Sequence, residues 1–77
     1  VGSSASINLE APMPGKIVEI LVEEGAEIKA GEPVLILEAM KMQNEMSSHV
    51  EGVVKKIVVR KNDSVMKDDL MIEIERL

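Results

Sequence analysis

A lysine between two methionines is the residue of this chain best suited to chemistry. Lys41 lies between Met40 and Met42, near the middle of the sequence, and directly follows Glu38 and Ala39. A solvated turn rarely has two apolar neighbours, and a protein core rarely contains a lysine. We therefore interpret Lys41 as a covalent attachment point that the rest of the chain presents.

The chemistry of a displayed lysine is acylation of its amine. A free lysine has a pKa of ~10.4, so only about a few molecules in ten thousand carry the neutral amine at pH 7. Because the neutral amine is the nucleophile, a modifying enzyme must enclose the side chain and remove a proton. This requirement predicts that Lys41 lies at an accessible tip.

The composition excludes most other kinds of chemistry. The 77 residues include no cysteine and a single histidine, which excludes disulfides, Cys-based metal sites and His-rich zinc sites. The sequence contains no nucleophile–base pair, carboxylate dyad or glycine-rich phosphate loop. A domain this small also offers no pocket for a Schiff-base lysine. The chain is predicted to be non-catalytic by itself.

The charge and hydropathy argue against nucleic acids and membranes as partners. Fourteen acidic and nine basic residues give a formal charge of −5, and there are no aromatic residues on which bases could stack. The sequence has no apolar run as long as a membrane span, and we expect no signal peptide. The acidic residues at 23, 24 and 27 are interpreted as a solvated face.

Short runs rich in isoleucine and valine, separated by Gly, Pro and Asn turns, predict an all-β chain. The expected strands cover residues 7–10, 16–22, 27–28, 34–39, 52–59 and 71–75, with a weakly patterned stretch at 43–48 and an isolated Val65. Met13, Met66 and Met71 are assigned to ordinary packing.

The chain repeats itself at a fixed offset of 37 residues without gaps. The matched positions include Gly15 with Gly52, Ile17 with Val54, Ile20 with Ile57, Val22 with Val59, Ile28 with Val65, Leu35 with Ile72, Leu37 with Ile74, and Glu38 with Glu75. Gly25 falls on Asn62, and these residue types tolerate positive φ best. His49 falls on Pro12, which predicts a surface turn position and not a catalytic one.

Two half-sequences of short strands can bury their apolar faces only against each other. The repeat therefore predicts a two-sheet sandwich or flattened barrel with pseudo-two-fold symmetry. The last strand of the first half and the first strand of the second half then meet in a hairpin at Lys41. The chain termini are expected at the other end.

Local propensity favours a different structure for the centre of the chain. Residues 35–46 are mostly good helix formers, and Leu35, Ala39, Met42 and Met46 fall on one helical face. The stretch also lacks the Asn-Gly or Asp-Gly pair that tight hairpins prefer. We give the repeat more weight, because residues 34–38 must match 71–75, which alternate as a strand does.

The sequence resembles the biotinyl carrier domains of biotin-dependent carboxylases, decarboxylases and transcarboxylases, in the biotin/lipoyl attachment family. Glu38-Ala39-Met40-Lys41-Met42 looks like the biotin-attachment motif of that family. The resemblance runs from about residue 9 to 75 and includes the Ala-Pro-Met-Pro-Gly segment at 11–15, Gly31, and the Gly-Val-Val segment at 52–54. It implies a flattened barrel of two four-stranded antiparallel sheets, with the modified lysine on a protruding hairpin.

The resemblance also implies the cofactor and the partners. Lys41 would be biotinylated by a biotin protein ligase, with Glu38, Ala39, Met40 and Met42 contributing to recognition. The attached biotin would shuttle a carboxyl group between biotin carboxylase and carboxyltransferase or decarboxylase active sites, in the cytoplasm or the mitochondrial matrix. The connection between Val22 and Ile28 is too short for the inserted loop of some bacterial acetyl-CoA carboxylase carriers, which favours other parents.

Two other functions remain open at this point. Lipoyl carriers share the fold, but their lysine typically follows an acidic residue and precedes a small one, so Met40 and Met42 favour biotin. An unmodified structural barrel would leave the exposed Met-Lys-Met unexplained. We expect residues 1–6 to be the remnant of a flexible linker, because they are small and begin without methionine, and residues 7–77 to be the carrier domain.

Overall fold

The computed structural model describes residues 6–76, and within this range the chain is all β. The eight strands are β1 (Ser6–Glu10), β2 (Gly15–Ile20), β3 (Glu27–Ile28), β4 (Pro33–Ala39), β5 (Met42–Ser47), β6 (Gly52–Ile57), β7 (Ser64–Val65) and β8 (Leu70–Arg76). None of the described residues belongs to a helix that could cross a membrane. The predicted linker lies outside this range except for Ser6, which pairs with Glu75.

The strands form two antiparallel sheets of four strands each. Sheet A has the order β1-β8-β6-β3 and sheet B the order β5-β4-β2-β7. The two ladders stay separate over the described residues, so the sandwich is the correct description and the barrel is not closed. The predicted fold class, with two four-stranded antiparallel sheets, is confirmed.

The offset of 37 residues relates the two sheets strand by strand. It places β1 on β5, β2 on β6, β3 on β7 and β4 on β8. The turns match as well: Gly25 and Asn62 have φ of 90° and 76°, and Gly31 and Asp68 have φ of 86° and 71°. The inference of a duplicated half is therefore supported by backbone conformation in addition to the apolar pattern.

The core lies between the sheets and consists of aliphatic side chains and one methionine. Its buried members are Leu9, Ala11, Ile17, Ile28, Val34, Leu35, Leu37, Val54, Val59, Val65, Met71, Ile72 and Ile74. Ten of them form five pairs related by the repeat, from Ile17 with Val54 to Leu37 with Ile74. Each half thus supplies the apolar face that the other half covers.

Two predicted strands end earlier than their apolar sequence suggests. β2 ends at Ile20 and β6 at Ile57, and the next residues, Leu21 and Val58, are about half exposed. The amide of Leu21 still donates to the Val34 carbonyl at 2.8 Å, and the amide of Val58 donates to the Met71 carbonyl at 2.9 Å. Beyond these bonds the chain crosses to the other sheet, so apolar residues here do not continue the ladder.

The burial of one methionine differs from the prediction. Met71 is fully buried and Met13 packs against the core, as expected, whereas Met66 is 64% exposed. The assignment of Met66 to ordinary packing was wrong, because the residue follows β7 where the chain turns outward. His49 lies at an exposed bend, which confirms the surface position predicted from its match with Pro12.

The centre of the chain is a hairpin and not a helix. β4 and β5 pair from Pro33 with Ser47 to Ala39 with Met42. Ser6, the first residue of β1, pairs with Glu75 near the end of β8. At the other end of β1 the chain passes to β2, whose first residues lie beside the end of β4. The hairpin apex therefore lies at the end of the sandwich opposite to Ser6 and Arg76.

Candidate functional site

Two residues form the whole connection between β4 and β5. Met40 and Lys41 are the central residues of the turn, and Ala39 pairs with Met42 directly below them. Both central residues have positive φ, 53° for Met40 and 65° for Lys41. Positive φ at both positions is the pattern of a type I′ turn, whose twist matches that of the flanking strands. The hairpin therefore forms with a turn type that normally uses Asn and Gly.

This turn is unfavourable for the side chains that occupy it. An L-residue with a Cβ in the left-handed region costs about 1–2 kcal/mol, and neither Met nor Lys has the local hydrogen-bonding group that eases the cost for Asn. Strand pairing next to the turn holds it in this conformation, because β4 pairs with β5 on one side and with β2 on the other. Strained conformations that the surroundings enforce are concentrated at functional sites.

The apex side chains are open to solvent. Met40 is 89% exposed and Met42 65% exposed, and Lys41 between them is exposed as well. Both methionines are therefore surface residues and not part of the core. Two flexible apolar side chains beside an amine form a contact surface that can adapt to the shape of a bound protein.

The other two predicted site residues differ in exposure. Glu38 is exposed and pairs with Lys16 on β2 and Gln43 on β5. Ala39 is only 4% exposed, so its side chain packs inward below the turn. The structure thus brings all five residues of the motif to one place, but Ala39 can support the apex only from beneath.

A close approach of two backbones supports the hairpin, and the sequence did not reveal it. A Cβ added at Gly15 would lie 2.5 Å from the Glu38 carbonyl oxygen and 3.0 Å from Leu37 Cδ1. In the other sheet, a Cβ at Gly52 would collide with the Glu75 carbonyl and lie 2.9 Å from Ile74 Cγ2. The match of Gly15 with Gly52 in the repeat was the signal for this requirement.

The rest of the described surface has a cleft, and it lies apart from the apex. Among residues 6–76 no group of acidic or histidine side chains is placed to hold a metal ion. A cleft of about 350 Å³ opens between the edge strands β1 and β5, lined by Leu9, Glu10, Pro12, Glu45, Met46, Ser47 and His49. The apex residues do not line this cleft, and Lys41 is exposed to solvent.

The match with known proteins covers most of the chain. Residues 7–74 match the biotin/lipoyl family, described as "Biotin-requiring enzyme". The chain is 46% identical over 65 residues to the human mitochondrial pyruvate carboxylase. This match covers 84% of this chain and 6% of that protein. It is 37% identical over 75 residues to the human propionyl-CoA carboxylase alpha chain, covering 97% of this chain and 10% of that protein.

Solved structures agree with the sequence matches. A single-chain, multi-domain long-chain acyl-CoA carboxylase superposes with a TM-score of 0.88 at 29% identity, over 94% of this chain and 7% of that chain. The urea carboxylase of Kluyveromyces lactis superposes with a TM-score of 0.86 at 27% identity, over 96% of this chain and 6% of that chain. The chain thus spans a tenth or less of these relatives. From its fold and these matches, the chain belongs to the biotin/lipoyl family of biotin-requiring enzymes, as a biotinyl carrier domain.

Proposed function

We propose that Lys41 carries covalently attached biotin and that the domain transports it between separate active sites. The observation that carries this proposal is the position of Lys41, exposed in a two-residue turn at one end of the sandwich. The geometry suits the cofactor, because attachment as an amide needs one accessible amine and no binding pocket. The exposed apex meets that condition.

The attachment step needs the amine and little else from this chain. The neutral Lys41 amine would attack the carbonyl carbon of an activated biotin acyl group, an amide bond would form, and the activating group would leave. The amine loses one proton to a base, which the modifying enzyme must supply, because the apex residues flanking Lys41 are methionines. The chain's part is to hold the amine clear of its own surface.

After attachment the chain acts as a carrier and not as a catalyst. Biotin supplies the chemistry, which is to accept and release a carboxyl group, and the protein positions it. A tethered module raises the effective concentration of its cargo at each site that it can reach. The relatives that this chain resembles are carboxylases, so the partners would be biotin carboxylase and carboxyltransferase or decarboxylase domains. The carrier domain that visits them would begin near residue 7.

Met40 and Met42 would serve as contacts for the biotin protein ligase and for the carboxylating partners. Their exposed side chains are apolar where a carrier surface would usually be polar, and methionine is common on surfaces that bind several partners. Glu38 would contribute from the outer face of sheet B, and Ala39 would act by letting the end of β4 pack closely.

Lipoate is the second candidate cargo, because the matched family includes lipoyl attachment and the fold would present either group equally well. The flanking methionines favour biotin, as do the carboxylase relatives. An unmodified domain would maintain a strained, exposed Met-Lys turn without a use for it.

The proposal is tested by intact mass. The chain is coexpressed with a biotin protein ligase, supplied with both biotin and lipoate, and compared with Lys41→Arg and with the control Lys16→Arg, which removes an exposed lysine from the neighbouring strand. A single biotin adduct on wild type and Lys16→Arg, absent from Lys41→Arg, supports it. A lipoyl adduct, or no adduct where a known carrier is modified, contradicts it.

A further inference from the structure

Met66 is an exposed apolar residue held in a defined position. Its amide donates to Asp69 Oδ2 at 2.8 Å, and the Asp69 amide donates back to the Met66 carbonyl at 3.1 Å. The backbone of Met66 is therefore fixed at both of its polar groups, while 64% of the residue remains exposed. An apolar side chain displayed from a fixed turn needs an explanation other than packing.

Strand register places Met66 at the same end of sheet B as the apex. Lys16 on β2 pairs with Glu38 on one side and with Ser64 on the other. Two residues further along the flanking strands, in the same direction, are Met40 and Met66. With adjacent strands about 4.8 Å apart, the Met66 backbone lies roughly 10 Å from that of Met40, at the edge of sheet B that β7 forms.

The repeat provides an internal comparison for this position. The counterpart of Met66 is Lys29, in a turn built in the same way: the Lys29 amide donates to Glu32 Oε1 at 3.0 Å, and the Glu32 amide donates to the Lys29 carbonyl at 3.0 Å. The same turn thus carries a charged residue at the end far from Lys41 and an apolar one at the end near it. The turn's geometry does not require methionine.

We propose that Met66 is a specificity contact for the enzyme that acylates Lys41, extending the apolar surface of Met40 along the rim of sheet B. This inference rests on the proposed function. The acylating enzyme must reach the amine itself, so it must close around the apex. A partner that acts at the far end of an attached group can remain further from the domain.

The dimensions suit this occupant. An interface of standard size buries about 800 Å² per partner, a disc of roughly 16 Å radius, so an enzyme centred on Lys41 covers a residue about 10 Å to the side of the apex. Contacts near the centre of an interface carry most of its energy. A net charge of −5 disfavours a second copy of the chain or an anionic membrane on the same surface.

The test compares initial rates of biotinylation by a purified biotin protein ligase. Met66→Lys introduces the residue that the repeat carries at Lys29, and Met66→Leu keeps an apolar side chain. Leu21→Lys is the matched control, since Leu21 is 45% exposed and its amide donates to the Val34 carbonyl, roughly 20 Å along β4 from Met40. We expect kcat/KM to fall about fivefold for Met66→Lys through KM, with rescue by Met66→Leu and no change for Leu21→Lys.

The outcomes separate this inference from the proposed function. If wild type is not biotinylated, the proposed function fails first. If wild type is biotinylated and Met66→Lys matches it, the inference is overturned. It is also overturned if Met66→Lys is biotinylated normally but, once modified, is carboxylated more slowly by an isolated biotin carboxylase, because the contact then belongs to that partner. Equal urea midpoints for all variants establish that folding is not the cause.

Discussion

At the scale of single residues, the apex combines a strained backbone with exposed side chains. Met40 and Lys41 both adopt the left-handed conformation, and neither has a favourable intrinsic tendency to do so. Selection for stability would place Asn and Gly here. The residues present are better explained by what they offer to a second protein, an amine beside two thioethers.

A substitution at Met40 separates stability from recognition. Met40→Asn should raise the free energy of unfolding by about 0.5–1 kcal/mol, because Asn tolerates φ near 53° better than Met. The same change should slow biotinylation, since it removes an apolar contact beside Lys41. Urea unfolding and initial rates of modification measure the two effects.

Met42→Asn is the matched control for this experiment. Met42 is the first residue of β5, where Asn has a low strand propensity, so the substitution should bring no gain in stability. If Met40→Asn, like Met42→Asn, brings no gain in the free energy of unfolding, the turn stores no strain.

At the scale of elements, the hairpin depends on how closely β2 can approach β4. Gly15 allows the approach in sheet B and Gly52 allows it between β6 and β8 in sheet A. The obstacle in each case is a backbone carbonyl, which cannot move aside as a side chain can. The two glycines therefore hold equivalent places in the two halves.

Gly52→Ala should lower the free energy of unfolding by about 1–3 kcal/mol, because the added Cβ collides with the Glu75 carbonyl and the strands must separate. The urea midpoint, with an unchanged denaturant dependence, gives the measurement. Lys56→Ala, exposed on the same strand, should change stability by no more than about 0.5 kcal/mol. A loss for Gly52→Ala as small as that would contradict the close approach.

The sequence predicted best the strands whose apolar pattern occurs in both halves of the repeat. The match of residues 34–38 with 71–75 correctly overruled the helix propensity of 35–46, because one strand of each sheet had to obey the same pattern. The weakly patterned β5 was assigned only as the partner of β4, since it is an edge strand with mostly polar side chains. The strand ends after Ile20 and Ile57 were missed because the residues that follow are apolar although they have left the ladder.

The site was predicted less completely than the fold. Lys41 stood out by its neighbours, but the type I′ turn did not, because Met-Lys carries no turn signal. Met66 could not be placed either: a single methionine beside Val65 resembles core, and only the register of β7 against β2 brings it to the apex.

At the scale of the whole molecule, the duplicated sandwich presents the Met-Lys turn at one of its two ends. Two halves related by the offset of 37 residues share a single core, while only one half ends in the Met-Lys turn. A chain of this size is expected to have a free energy of unfolding of roughly 4–12 kcal/mol. One core substitution can therefore remove much of it.

The symmetry predicts equal effects on stability and unequal effects on function. Leu37→Ala and Ile74→Ala, at matched and fully buried positions, should each cost about 2–5 kcal/mol by leaving a cavity. After correction for the folded fraction, only Leu37→Ala should slow biotinylation, because Leu37 supports β4 below the apex and its loss favours local opening there. Equal rates for the two variants would refute a specific support of the hairpin.

The attachment of biotin to Lys41 is tested by locating the modification on the chain. Wild-type protein is incubated with a purified biotin protein ligase, ATP and biotin, then digested and sequenced by tandem mass spectrometry. We expect one biotinyl group, on Lys41, with every other lysine unmodified. Biotin on another lysine, or a chain left unmodified beside a control carrier that reacts, would contradict it.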